Sequence, residues 1–348
     1  MKKIILLFAF ALIGFASCQD STEEVVEQQQ SKIDMSDFFV YTEQGTDLLS
    51  KSSNSRNCYS MKVLNQKLDE NPGLFKKMYD IEYATRKSIS AKGKPGGGGG
   101  NGGGGTDPVP YTGAITIPVI INILEDNPGD VTQAQINSQI AILNEDFNNN
   151  NPNTPNAPAE FSGLVADVNI TFTLAGVNRK VSSKSTWGTN DAMKDSGQGG
   201  IDATDPSSYL NVWVCNIGGG ILGYAQFPGG AAATDGVVIG NDYFGETSGV
   251  YGDGRTATHE VGHWLNLRHI WGDGRCRQDD FVADTPSSDR SNGGCPTYPT
   301  VHCKSADMTM NYMDYVYDDC MYMFTNGQND RMRALFTAGG PKASFVGN

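Results

Sequence analysis

Three of the chain's four histidines lie within eleven residues, His259-Glu-Val-Gly-His263-Trp-Leu-Asn266-Leu-Arg-His269. On an α-helix, residues four apart differ by about 40° in azimuth and about 6 Å along the axis. His259 and His263 therefore project from one face and can share one ion at the ~2.0–2.1 Å distance of zinc–imidazole bonds. Glu260 follows the first ligand but points away from it, placed to take a proton from an activated water rather than to join the ligand set. His269 lies too far along for a straight helix, so the chain must turn back after His263. Asn266 stands at that point, and Asn tolerates the left-handed conformation that ends helices. Three protein ligands leave a fourth position for water, which is the catalytic rather than the structural zinc pattern. Such a group supports hydrolysis, with zinc polarising a carbonyl and lowering the pKa of water toward ~7 while Glu260 carries the proton. The fourth histidine, His302, sits between Val301 and Cys303 and reads as a loop residue.

The elements that must position these residues can be read from periodicity. Thr116 to Leu124 is a strongly apolar strand. Thr132 to Phe147 repeats apolar residues at Ile136, Ile140, Leu143 and Phe147, a helix with Asp130 or Thr132 near its cap. Val168 to Leu174, Tyr209 to Ile217, Gly223 to Phe227 and Gly236 to Ile239 complete a mixed sheet, and the ligand-bearing helix begins near Arg255. Beyond His269 the chain is rich in Gly, Pro, Asp and Cys until a last helix from about Asn326 to Phe336. The expected class is α/β (α+β): a twisted mixed sheet and the active-site helix above, an irregular lower part below, and a cleft between them.

Upstream, residues 60–87 carry helical spacing at Met61, Leu64, Leu68, Leu74, Met78 and Ile81, interrupted by Asn71-Pro-Gly73. This two-helix element is too short for a core of its own. Gly96 to Gly105, interrupted by one Asn, is a flexible linker, and Arg86, Lys87, Lys92 and Lys94 before it offer sites for proteolytic cutting. Residues 1–18 read as an export signal: Lys2 and Lys3, an apolar run from Ile4 to Phe15, then Ala16-Ser17-Cys18. Two readings of Cys18 stand side by side, acylation as in a bacterial lipoprotein with a membrane tether, or plain secretion with cleavage nearby. Either reading exports the protein. The expected boundaries are signal 1–18, polar tether 19–55, helical propeptide 56–92, linker 93–107 and catalytic domain 108–348, divided at 269/270.

The net charge of −13 over 348 residues excludes nucleic acid as a partner, since no basic stripe is available to meet phosphates. Seven cysteines suit an oxidising compartment. Cys276, Cys295, Cys303 and Cys320 lie in the loop-rich half, where they allow three pairings that spacing cannot choose among. Cys215, inside an apolar strand, reads as a buried thiol. Cys58 stands in Arg56-Asn-Cys58-Tyr, ahead of the linker. Its thiolate could fill the open zinc position and keep the enzyme latent; an incidental cysteine, or one paired with Cys215, is the other reading.

The motif HExxHxxNxxH resembles the extended zinc motif of the metzincin metallopeptidases, whose usual turn residue is Gly where this chain has Asn266. Asn311-Tyr-Met313-Asp-Tyr315 looks like their Met-turn. Ile117-Pro-Val-Ile-Ile, Leu143-Asn-Glu-Asp-Phe147, Tyr209-Leu-Asn-Val-Trp213, Asp284-Thr-Pro286 and Met323-Phe-Thr-Asn-Gly-Gln328 narrow the resemblance to the pappalysin/cytophagalysin family over about residues 108–337. The resemblance implies a zinc endopeptidase acting on polypeptides, with Met313 as an apolar floor beneath the metal and the Tyr315 phenol on the oxyanion; a structural tyrosine is the other reading. It also implies disulfides Cys276–Cys303 and Cys295–Cys320. Calcium is implied at Asp280, Val282 and Thr285, where an acidic solvated loop is the alternative. The last implication is an acidic residue, Asp319, at the base of the pocket that receives the residue after the cut, favouring cleavage before Lys or Arg. The expectation is thus an exported, monomeric zinc metalloendopeptidase with its own propeptide as intramolecular inhibitor. Its rival is a surface adhesion or binding lipoprotein that keeps the fold without the activity.

Overall fold

The computed structural model describes residues 33–42, 56–93 and 108–347. The expected signal with Cys18, most of the tether and most of the glycine linker lie outside the described residues. Two helices, α1 (Ser60–Glu70) and α2 (Gly73–Lys92), are separated where Asn71-Pro72 breaks the pattern. Their apolar faces do not close on themselves: Met61, Leu64, Leu68, Leu74 and Met78 share a small cluster with Val40 and with Phe227, far along the chain. The second helix runs past the expected Lys87 to Lys92, whose ammonium reaches the Asp330 carboxylate at 2.6 Å.

Strands β1 (Ile115–Glu125), β2 (Ile170–Val181), β3 (Leu210–Cys215), β4 (Gly223–Ala225) and β5 (Val237–Gly240) form one sheet in the order β2-β1-β3-β5-β4. All neighbours are parallel except β4, which pairs antiparallel with β5 at the edge. The Ile/Val-rich runs of β1 and β5, and the wholly buried Leu-Asn-Val-Trp-Val-Cys of β3, fit central strands buried on both faces. β2 outruns the expected end at Leu174 because its second part is held by polar partners. Asn178 donates to Asn122 at 2.8 Å, and Arg179 pairs with Glu125 at 3.1 Å. Apolar alternation carries no trace of such contacts.

Helix α3 (Gln133–Phe147) begins at a capping box in which Thr132 and Gln135 bond reciprocally, so Thr132 rather than Asp130 is the cap. Helix α4 (Arg255–Trp264) lies beneath the sheet, buried along its whole length. From there the core continues into the lower half through Val261, Met313, Met323 and Phe336. Regular structure below consists of two-residue strands β6 (Gly293–Gly294), β7 (Val301–His302), β8 (Ser305–Ala306) and β9 (Tyr315–Val316), helix α5 (Asn326–Ala334) and the short 3-10 turns Asp318–Cys320 and Ala343–Phe345. Disulfides Cys276–Cys303 and Cys295–Cys320 staple this part, the two pairs the resemblance implied. Cys58 and Cys215 are both free thiols, so they do not pair with each other. Among the described residues, no helix is long and apolar enough to cross a membrane.

Candidate metal centre and active site

Helix α4 starts abruptly because Gly254 takes a left-handed backbone (φ 71°) and hands its carbonyl to Gln139 at 2.9 Å. It stops as expected at Asn266, also left-handed (φ 71°), after which Leu267 N bonds back to the Gly262 carbonyl at 2.9 Å. This reversal brings His269 beside the two helical histidines. The ring centres lie 4.8 Å apart for His259–His263, 4.6 Å for His263–His269 and 5.2 Å for His259–His269.

Each imidazole is aimed by a partner on its Nδ1. His259 meets the Tyr312 carbonyl at 2.7 Å, His263 the Leu267 carbonyl at 2.8 Å, and His269 the Asp273 carboxylate. A proton on Nδ1 for a carbonyl leaves Nε2 as a bare lone pair. Burial also pushes the His259 and His263 imidazoles well below their usual pKa, which favours the neutral, ligating form. The consequence is an electrostatic imbalance. His263 Nε2 and His269 Nε2 face each other at 3.2 Å, and buried His259 Nε2 has no hydrogen-bond partner among the described residues. A cation between the three resolves it. With Cys58 Sγ, all four ligand atoms lie within 4.8 Å of one another, and three nitrogens with one sulfur suit tetrahedral zinc.

The floor and wall of the site come from the lower half. Met313 is fully buried, and its sulfur lies only 2.5 Å from where a Cβ on Gly262 would stand. Glycine at that point of the helix lets the Met-turn press against it. Tyr315 packs edge-on to His269 at 4.8 Å, and its hydroxyl donates to the Cys58 carbonyl at 3.3 Å.

The segment before α1 occupies the site. Cys58 Sγ is 3.6 Å from both His263 Nε2 and Glu260 Oε2. Ser60 Oγ donates to Glu260 Oε2 at 2.6 Å and accepts from Ala225 N at 2.7 Å. Tyr59 N donates to the Gly223 carbonyl at 3.0 Å, and Leu222 N to the Asn57 carbonyl at 3.1 Å, so the segment adds parallel to the β4 edge. Burial lifts the Glu260 carboxyl to about 7, against the lowering effect of the Ser60 and Cys58 hydrogen bonds.

Arg56 fills a neighbouring pocket. It is buried, with its guanidinium on the Asp318 carboxylate, 3.1 Å from Thr256 Oγ1 and over the Tyr251 ring at 5.0 Å. Asp319, the residue expected at the base of the substrate pocket, is exposed and shares a hydrogen bond with Asp253. The short 3-10 turn Asp318–Cys320 points adjacent side chains in different directions, so a shift of one residue exchanges pocket for solvent. Asp318 Oδ2 also accepts from the backbone N–H of Asp253 and Arg255 at 3.1 Å each, where α4 begins.

Asp280, Val282 and Thr285 do come together. The single Thr285 hydroxyl has three acceptors around it, both Asp280 oxygens at 2.9 Å and the Val282 carbonyl at 2.8 Å. One proton cannot serve three acceptors, and such a surplus of oxygens suits a hard cation. His302 bonds Asp307 and takes no part in the site.

Sequence reasoning missed Arg56, Ser60, Asp318 and the three groups that aim the imidazoles. Asp273, four residues after His269, was the one orienting side chain open to inspection; the Tyr312 and Leu267 carbonyls carry no side-chain signal at all.

The family profile described as pregnancy-associated plasma protein-A matches residues 196–337. The extracellular metalloprotease 1 of Coccidioides posadasii is 32% identical over 228 residues, 63% of this chain and 74% of that protein. Mature mirolysin of Tannerella forsythia with a cleaved peptide superposes with a TM-score of 0.66 at 44% identity, covering 68% of this chain and 96% of that one. A promirolysin mutant from the same organism covers 83% of this chain and 97% of its own, with a TM-score of 0.72 at 38% identity. The wider coverage by the precursor extends the likeness beyond the mature enzyme. With its histidines, glutamate and Met-turn gathered in one place, the chain belongs to the pappalysin family and is a metallopeptidase of metzincin fold, carrying a propeptide.

Proposed function

We propose that the protein is an exported zinc endopeptidase, latent until its linker is cut, that cleaves polypeptides before Lys or Arg. The observation that carries this reading is the convergence of the Cys58 thiol on His259, His263 and His269 within 4.8 Å. Residues 56–92 serve as the propeptide and 108–348 as the catalytic domain. The basic and then apolar start of the chain, the two disulfides and the likeness to extracellular proteases support export; acylation at Cys18 is the finer alternative to free secretion.

Zinc, when bound, supplies a Lewis acid for the scissile carbonyl and acidifies the attacking water. Glu260, next to His259 on α4, takes the proton from that water and delivers it to the leaving nitrogen. Tyr315, released from the Cys58 carbonyl, donates its hydroxyl hydrogen to the developing oxyanion. Leu222 N and the Gly223 carbonyl, released from residues 57 and 59, pair with substrate backbone along the β4 edge. Asp318 receives the basic side chain after the cut, in the pocket that Arg56 fills in the precursor. Arg56 precedes Cys58 in the chain, whereas a substrate residue in that pocket follows the carbonyl at the metal. The propeptide therefore crosses the site in reverse and offers no bond in register for hydrolysis. Calcium at Asp280, Val282 and Thr285 would brace the loop beside the cleft.

The test is the full chain with Cys58→Ala against the unaltered precursor, assayed on casein, with metal content by elemental analysis. Activity without linker cutting, lost to a chelator and in Glu260→Ala, is the expected result. A precursor that stays silent despite Cys58→Ala would end the switch, and a mature chain free of zinc would end the whole reading.

A further inference from the structure

A second contact between the N-terminal segment and the rest of the protein lies away from the metal. Glu82 on α2 and Arg331 on α5, each 2% exposed, bond through two oxygens and two nitrogens at 3.1 and 2.5 Å. Arg331 also donates through Nε to the Asn266 carbonyl at 2.8 Å, in the turn that carries His269 round. Beside this pair stands the Phe281 ring, on a residue with a left-handed backbone (φ 65°). The guanidiniums of Arg268, Arg86 and Arg331 lie 4.6, 4.8 and 5.4 Å from its centre. Phe39 meets the same ring edge-on at 5.3 Å, and Phe38 lies 6.0 Å from it. Arg268 donates through Nη2 to the Phe39 carbonyl, while its Nη1 is buried with no partner among the described residues.

The two sides of this contact are complementary. The catalytic side offers two buried guanidiniums and an aromatic face; residues 33–42 and α2 bring a carboxylate, a carbonyl and two phenyl rings. None of these groups touches a metal ligand side chain, so loss of the thiol from the metal leaves them in place. Resting on the latency reading above, we propose that Arg268, Arg331 and Phe281 form a docking site for the excised N-terminal segment. That site keeps the cleaved propeptide on the enzyme independently of Cys58. Cutting the linker is then a separate event from release, and the nicked complex is a distinct state of the protein.

The test uses the full chain, made inactive by Glu260→Ala, with a specific protease site placed in the glycine tract. After nicking, dissociation of the two pieces is followed by size-exclusion chromatography and by dilution. Cys58→Ser should leave the nicked complex intact. Adding Glu82→Gln should speed dissociation at least about thirtyfold, the scale set by removing one partner of a buried hydrogen-bonded charge pair. Phe39→Ala, which alters only the segment 33–42, should speed it as well and covers the case in which Glu82→Gln misfolds. Prompt separation in Cys58→Ser alone would overturn the proposal and leave the thiolate as the sole lock. Unchanged retention in both added variants would overturn it too. By contrast, a nicked chain with Glu260 intact that loses the segment yet hydrolyses no peptide would count against the proposed function rather than the docking site.

Discussion

The two halves of the catalytic region hold their functional residues by different physics. Above, His259, Glu260 and His263 ride on one buried helix under a sheet of Ile and Val, so their spacing follows from helical geometry and apolar burial. Below, Asp273, Met313, Tyr315 and Asp318 sit in turns and in a two-residue strand, fixed by two disulfides and by buried polar contacts such as Asp314 on Asn292. A metal site that borrows from both halves therefore has one side stiffened by packing and the other by cross-links. The former should tolerate chemical change at exposed atoms; the latter should loosen as a unit.

The largest expected effect belongs to the helical side. Glu260→Gln in the mature enzyme should lower kcat about 10²–10⁴-fold while leaving metal content and Tm unchanged. Loss of metal together with activity would mean that the helix is not rigid by itself. For the cross-linked side, replacing Cys295 and Cys320 by Ser should cost about 2–5 kcal/mol, seen first as weaker metal retention with the sheet still intact by circular dichroism. Ile121→Ala in β1 should cost a similar ~2–5 kcal/mol but unfold the whole region in one transition. Coincident transitions in both variants would erase the distinction between the halves.

The propeptide spans the two regions, and acid should separate its attachments. Burial alone would raise the Glu82 carboxyl, but Arg331 and Arg86 pull it from the usual 4.5 to about 2. Its stabilising contribution, on the order of 3 kcal/mol, is complete above about pH 4.5 and is lost as pH falls toward 2. Glu82→Gln should flatten that part of the pH dependence of docking, measured by fluorescence. The smallest effect is at the pocket: Asp318→Asn should reduce the preference for Lys or Arg after the cut about 10- to 100-fold in a peptide-library profile. Asp319→Asn should leave it untouched.

Legibility in the sequence followed the same division. The strands, α3, α4 and the turn at Asn266 were readable because burial imposes a period and a special backbone conformation favours particular residue types. The convergence of His259, His263 and His269 followed from that reading. The lower half has no period to read; its disulfide pairs came from resemblance, and the contact of Asp318 with Arg56 left no trace because a tight turn gives adjacent carboxylates opposite surroundings. The docking of α1 and α2 was invisible for another reason: their partners, Phe227 and Arg331, are distant in the chain, and an amphipathic stripe does not say what it will cover.

The divided carboxylate of Asp318 constrains any attempt to redesign what this peptidase accepts. One oxygen bonds Arg56, whose place a basic substrate side chain takes in the proposed reading, and the other anchors the first turn of the histidine-bearing helix. An engineer who swaps it for an apolar residue to admit Leu or Phe would also unmoor that turn. A new selectivity at this position would need a compensating acceptor for the Arg255 amide, introduced from elsewhere.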